Sequence, residues 1–297
     1  MPERFEVKAT EADQRLDKLL RQRFPALSFG QTQKLIRGGR VRVNGKRAKA
    51  ADRIAKGALV TLPYQGEAQA PAAQSQDLAA FQVYEDDHLI ALNKPAGLAV
   101  QGGSAVKTHI AGMLEGTELR LVHRLDRDTS GLLLLGKGAL MAKVLTRAFA
   151  EQAVHKSYLA LVPHAAKDQG TLTQPLKKIL VGGEGRMAVA PDGQEAVTEF
   201  QVLARSDTAA LLRLSPKTGR THQLRVHCAE VFGGIFGDNK YGMAKDQARG
   251  LCLHAWRAEL AHPETGEALA LEAPLPRSFY DTLTRYTLKL AEEWSPL

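Results

Sequence analysis

The chain has 297 residues, 44% hydrophobic and 24% charged, which is enough for a sizeable core and two domains. No run reaches the ~18–20 apolar residues of a membrane span, and the charged start MPERFEVKAT carries no apolar stretch, so neither a membrane segment nor a signal peptide is expected. The net charge of +8 is lopsided: residues 1–64 hold 15 Lys+Arg against 6 Asp+Glu, and the remaining 25 basic residues face 26 acidic ones. A small basic unit on a near-neutral body suggests an attachment for a polyanion, with a solvated lysine-rich surface as the alternative. Two cysteines, Cys228 and Cys252, exclude a disulfide framework and fit a reducing compartment, the cytoplasm.

In chain order, Leu16, Leu19 and Leu20 recur at helical spacing. Leu27-Ser28 places a capping serine before a second helix bearing Leu35 and Ile36, which Gly38-Gly39 stops. Arg40-Val41-Arg42-Val43 alternates like a strand, Asn44-Gly45 signals a type I′ hairpin, and Ala58–Leu62 reads as the return strand. Arg37, Arg40, Arg42, Lys46 and Arg47 cluster around that turn. The segments RLDKLL and IRGGRVRVNGKR with Gly57-Ala58 resemble the S4 RNA-binding domain over most of residues 14–62. The resemblance implies that Arg37, Arg40, Arg42 and Lys46 hold RNA phosphates and position the protein, with little base reading.

Residues 65–79, QGEAQAPAAQSQDLA, have no hydrophobic periodicity and read as a linker. The expected organisation is therefore a basic unit at 1–64, a linker at 65–79 and a body at 80–297. In the body, strands are expected at 81–84, 89–93, 132–136, 158–162, 196–204 and 209–215, and helices at 138–152, 222–232 and 277–293. Gly182-Gly183 and Pro191-Asp192-Gly193 suggest hairpins. This pattern favours an α+β body around a largely antiparallel mixed sheet over a doubly wound one, beside a small α/β N-terminal unit.

The densest polar cluster is His123-Arg124-Leu125-Asp126-Arg127-Asp128-Thr129-Ser130-Gly131, between Leu121-Val122 and Leu132–Leu135. Arginines around a carboxylate at the edge of a core keep it ionised, as a nucleophile or base requires; a salt-bridged turn is the plainer reading. The string HRLDRDTSG is similar to the signature of the RluA family of pseudouridine synthases, whose catalytic aspartate falls at Asp126. Three further segments resemble that family in order: Tyr84–Asp87 through Asn93–Gly97, His155–Val162, and Thr218–His227. Phe236-Gly237-Asp238 through Tyr241-Gly242 and Leu251–Ala255 extend the match. Gly233-Gly234-Ile235-Phe236 departs from the family's usual His-Pro-Ile and is expected as a loop beside the site.

The resemblance implies an enzyme that isomerises uridine to pseudouridine in RNA, with a pseudouridine synthase fold. Asp126 and Tyr158 fall at the family's active-site positions. Residue order assigns the arginine that pairs with Asp126 to Arg225, with Arg220 as runner-up. Uracil leaves ribose at N1, turns, and rejoins through C5, without redox change or energy input, so no cofactor is expected. Tyr158 would stack on the uracil, or is a half-buried strand aromatic. Leu253 would pack on the base, or is a core leucine. A uridine in folded RNA must be flipped out at a cost of a few kcal/mol. Arg124 could fill the gap with its planar cation or contact a phosphate, and His123 could orient the loop or touch phosphate. The expected partner is RNA, large-subunit ribosomal RNA in the manner of RluC-type members, with the protein a monomer off the membrane.

Other patterns carry less. Asp128-Thr129-Ser130-Gly131 has no second Asp-Thr-Gly or Asp-Ser-Gly to complete an aspartic-protease pair, and Ser130 lacks the G-x-S-x-G elbow. Gly102–Thr108 lacks the glycine a P-loop needs before its lysine. His222, His227, Cys228, Cys252 and His254 match no zinc spacing, so no metal is expected.

Overall fold

A computed structural model describes residues 3–24, 29–63, 78–102, 108–242 and 248–288. It divides into two compact units, a smaller one on residues 3–63 with 102 and 108, and a larger one on residues 78–101 and 109–288. The capping Ser28 and nearly all of the expected linker lie outside the described residues.

In the smaller unit, helices Leu16–Arg23 and Phe29–Arg37 face a four-stranded antiparallel sheet. Its strand order is Glu3–Glu6, Leu59–Leu62, Arg42–Val43 and Lys46–Arg47. Leu16, Leu19, Leu20, Val41, Val60 and Leu62 are fully buried in its core. The second helix ends as its glycines require. Gly39 takes φ 66°, and the Gly39 and Arg40 amides donate to the Ile36 and Leu35 carbonyls, a Schellman closure.

Asn44 and Gly45 both adopt positive φ, as a type I′ turn demands. The return strand differs from expectation. Lys46–Arg47 pairs directly across the turn, while Leu59–Leu62 lies on the other side of Arg42–Val43 and joins it to the N-terminal strand. A two-residue turn can connect only adjacent residues, so the later apolar run takes the central, buried place.

The larger unit is built on a ten-stranded mixed sheet. Along its main path run Gln169–Leu172, Thr198–Arg205, Ala210–Pro216, His155–Val162, Leu253–Ala261, Ser130–Lys137, Leu89–Lys94 and Gln82–Glu85. Ala268–Glu272 adds to Leu253–Ala261, and Leu119–Leu121 adds to Ser130–Lys137. Among these pairings only Ser130–Lys137 with Leu253–Ala261 is parallel, through Ser130↔His254 and Gly131↔Ala255. The α+β architecture with a largely antiparallel mixed sheet is as expected. The six expected strands form, each with shifted bounds, whereas Leu253–Ala261 and Ala268–Glu272 were not anticipated as strands.

Two apolar clusters divide the sheet along its strand order, one around His155–Val162 and Ala210–Pro216, the other around Leu89–Lys94 and Ser130–Lys137. One gathers Leu159, Leu161, Leu212, Phe232, Phe279 and Leu283; the other gathers Leu89, Leu92, Ile110, Leu133, Leu135 and Leu145. Tyr158 packs against both. The helices are Gly138–Ala150, Gln223–Phe232 and Arg277–Arg285, with a short turn at Ile110–Met113. The helix expected at 277–293 ends at Arg285: Tyr286 caps it and Thr287 turns to φ 57°, which α-helix does not allow. Residues 289–293 lie outside the described residues. A separate hairpin, Leu176–Val181 with Glu184–Val189, turns at Gly182-Gly183 as expected.

Candidate active site

Asp126 sits on the loop that leads into strand Ser130–Lys137, and the loop is fastened from two sides. Lys94, fully buried at the end of strand Leu89–Lys94, donates from Nζ to the carbonyls of Pro95, Leu98 and Arg127 at 2.9, 2.9 and 3.0 Å. Burial pushes Lys94 down to about 8, against the pull of the Asp128 and Asp126 charges. At the loop's other end Gly131 takes φ 107°, and a Cβ there would stand 2.2 Å from the Ala255 carbonyl oxygen. Only glycine allows so close an approach of two backbones. The buried Ser130 hydroxyl and His254 Nδ1 meet at 2.9 Å, and His254 Nε2 donates to the Ala273 carbonyl at 3.0 Å.

Arg225 is two residues into helix Gln223–Phe232, and the turn before it is knotted by Gln223. The Gln223 side-chain Oε1 accepts from the Thr218 hydroxyl and the Arg220 backbone amide, and its Nε2 donates to the Val197 carbonyl and Thr198 hydroxyl. The helix so started delivers the Arg225 guanidinium to two carboxylates. Nε and Nη2 donate to the two oxygens of Asp238 at 2.8 and 2.7 Å, a bidentate clamp, and Nη1 donates to Asp126 Oδ2 at 3.3 Å. Asp238 is fully enclosed and also accepts from the Lys240 and Tyr241 amides.

Burial works against both charges of that clamp, yet each holds the other. Arg225 stays above its ordinary range through Asp238 and then Asp126. Asp238 stays below its own through Arg225 and the two amides. Tyr158 is pushed up by burial and then by the Asp126 charge, so its phenol is protonated at neutral pH. It lines a pocket with His123, Leu132, Leu134, Phe149, Lys156 and Arg257; Asp126 and Arg225 are not part of that lining.

The structure thus brings Asp126 and Arg225 into contact and sets Tyr158 within the field of Asp126. Arg220 stands apart: it is exposed, and its Nε donates to the Glu195 carbonyl at 2.9 Å. Arg124 is exposed and forms no ion pair with a described residue. His123 departs from a phosphate contact and fits the loop-orienting alternative. Its Nε2 accepts from the Leu134 amide at 2.8 Å, its ring stacks on Phe149 at 4.2 Å, and burial pushes it down to about 3, so it is neutral. Leu253 is buried in the core cluster beside Ala160. Arg37, Arg40, Arg42 and Lys46 are all exposed, and none is ion-paired with a described residue. Gly233–Phe236 is a loop, pinned by Phe236 hydrogen bonds to Leu161 and Cys252 and by stacking on Tyr286. Among the described residues no cluster could hold a metal ion.

Asp238 and Lys94 escape a reading of sequence as site residues, although both lie inside quoted segments. The available signal was a charged side chain where its neighbours are apolar or turn-forming.

Comparison with known proteins gives the family. The RNA pseudouridylate synthase family matches residues 88–230 and the S4 domain matches residues 14–60. The chain belongs to the RNA pseudouridine synthases, of the RluA family, and carries an N-terminal S4 RNA-binding domain. It is 38% identical to ribosomal large subunit pseudouridine synthase C of Escherichia coli (strain K12) and 37% identical to that of Salmonella typhimurium, over 91% of this chain and 92% of each relative. Among solved structures, human RNA pseudouridylate synthase domain containing 4 is 29% identical with TM-score 0.61, over 73% of this chain and 96% of that one.

Proposed function

We propose that this pseudouridine synthase acts on uridine in large-subunit (23S) ribosomal RNA in the cytoplasm, with Asp126 as the reacting carboxylate, Arg225 its counter-ion and Tyr158 the platform for the base. The observation that carries the reading is the Asp126–Arg225 contact at 3.3 Å, with Arg225 itself fixed by Asp238. The N1–C1′ bond breaks, a C5–C1′ bond forms, the C5 proton leaves and N1 takes up a proton. Whether Asp126 attacks C1′ or removes a sugar proton, it must be anionic, and a guanidinium already oriented stabilises that charge without reorganising. The partly buried Tyr158, its phenol kept neutral, offers a ring face for the detached uracil. Arg124, exposed and without an ion pair among the described residues, is suited to occupy the stack that a flipped uridine leaves.

The ribosomal substrate follows from the two relatives' names, and RNA binding by the basic S4 unit is consistent with it. Two free, buried cysteines suit a reducing cytoplasm. A division into 1–64, a linker at 65–79 and a catalytic body at 80–297 accommodates the two compact units. Mapping pseudouridines in a strain lacking the gene tests the proposal. Large-subunit RNA should lose one or more of them, and the wild-type gene, but not Asp126→Asn, should restore them. An unaltered ribosomal map, with loss in another RNA, would reject the substrate.

A further inference from the structure

We propose that His222 is a second donor to the Asp126 carboxylate, a positioning residue that with Arg225 holds one oxygen and leaves the other to react. This rests on Asp126 being the reacting group. Arg225 Nη1 and His222 Nε2 approach the same atom, Asp126 Oδ2, at 3.3 and 3.8 Å. Oδ1 has no hydrogen bond to a described residue, so it is the oxygen free to meet the sugar.

The histidine tautomer follows from a chain of donors. The Met187 amide donates to the Tyr241 hydroxyl at 3.1 Å, and that hydroxyl and His222 Nδ1 meet at 2.7 Å. The phenol proton has no other acceptor among the described residues, so Nδ1 accepts it and the ring proton sits on Nε2, facing Asp126. The groups facing this imidazole are Asp126, its helix neighbour Arg225, and Asp238, Lys240 and Tyr241 from the following turn; Arg186 lies over the Tyr241 ring at 4.9 Å. Burial holds His222 below its ordinary range, with Asp126 opposing and Arg225 and Lys240 reinforcing. A neutral N–H steadies the carboxylate without protonating it. At 3.8 Å the contact is longer than a hydrogen bond, and the proposal requires it to close, directly or through a water, when substrate fills the site.

The backbone argues that the side chain is there for this contact. His222 caps its helix at φ 53°, a left-handed conformation costly for a residue with a Cβ, and its side chain makes no capping bond.

Steady-state pseudouridine formation on ribosomal RNA fragments tests the proposal. His222→Gly relieves the φ, so its thermal midpoint should equal or exceed that of wild type. Its kcat should nevertheless fall about tenfold at nearly constant KM, as expected for a lost hydrogen bond to a charge. His222→Gln, which keeps an amide donor, should recover part of the rate, and Tyr241→Phe, which removes the proton held on Nδ1, should lower kcat at nearly constant KM as well. A folded His222→Gly with wild-type kcat would overturn the inference. If that variant fails to fold, a wild-type kcat in Tyr241→Phe does the same. Asp126→Asn separates the two readings: full activity there removes the role of Asp126 itself, whereas inactivity there with unaffected His222 variants removes only the histidine.

Discussion

One guanidinium carries two carboxylates here, and they are not equivalent. Asp238 is fully enclosed and takes two arms of Arg225, whereas Asp126 keeps 23% of its side chain exposed and takes one, at a longer distance. Asp238 therefore fixes the arginine, and Asp126 is the member with freedom to react. Asp238→Asn should cost about 3 kcal/mol of stability, because it leaves a buried cation short of charge. It should also lower kcat at least about tenfold through a displaced Arg225. Denaturant unfolding and single-turnover rates would measure both, and an unchanged kcat would show that Arg225 needs no anchor. A second prediction concerns two neutral imidazoles. Burial takes His123 down to about 3 and His254 to about 4, from an ordinary 6.5. Below pH 6.5 the unfolded chain binds protons that the folded chain refuses, so this stability is complete above 6.5 and is lost as pH falls toward 4 and then 3. His254→Gln should flatten that decline in thermal midpoint; a slope identical to wild type would contradict it.

At the scale of elements, the loop bearing Asp126 is placed by the meeting of two parallel strands. Gly131→Ala puts a methyl group into the Ala255 backbone and should cost ~2–4 kcal/mol, with activity falling further than stability as Asp126 shifts. Thermal unfolding and tritium release would show this, and a variant of wild-type stability would refute the tight approach. The same pairing explains what sequence could and could not convey. The polar string 123–131 between two apolar runs marks itself, and Arg225 was assigned by residue order within the segment that resembles the family. Strand Leu253–Ala261 was illegible because its first residues, Leu253-His254-Ala255, are buried on both faces and show no alternation, while its alanines carry weak strand preference. The helix stop at Thr287 was hidden because no glycine or proline signals it. The Arg225–Asp238 clamp joins residues 13 apart and the Arg225–Asp126 contact residues 99 apart, and pairings at such separations have no local signature.

Across the whole molecule, the charge is divided as the work is. The first 64 residues hold the entire positive excess, and Arg37, Arg40, Arg42 and Lys46 stand exposed without acidic partners among the described residues. Cations in that state release counter-ions when they meet phosphates. Deleting residues 1–64 should weaken RNA binding and flatten its dependence on salt, while slow activity on short fragments persists; unchanged affinity would remove the S4 unit from substrate capture. On the proposed reading the body then supplies the chemistry through a single carboxylate, Asp126. Tritium release from RNA labelled at C5 of uridine, measured alongside RNA affinity for wild type and Asp126→Asn, tests this most directly. Wild type should release label while Asp126→Asn binds RNA as tightly and releases none. Release by Asp126→Asn at the wild-type rate would contradict the account.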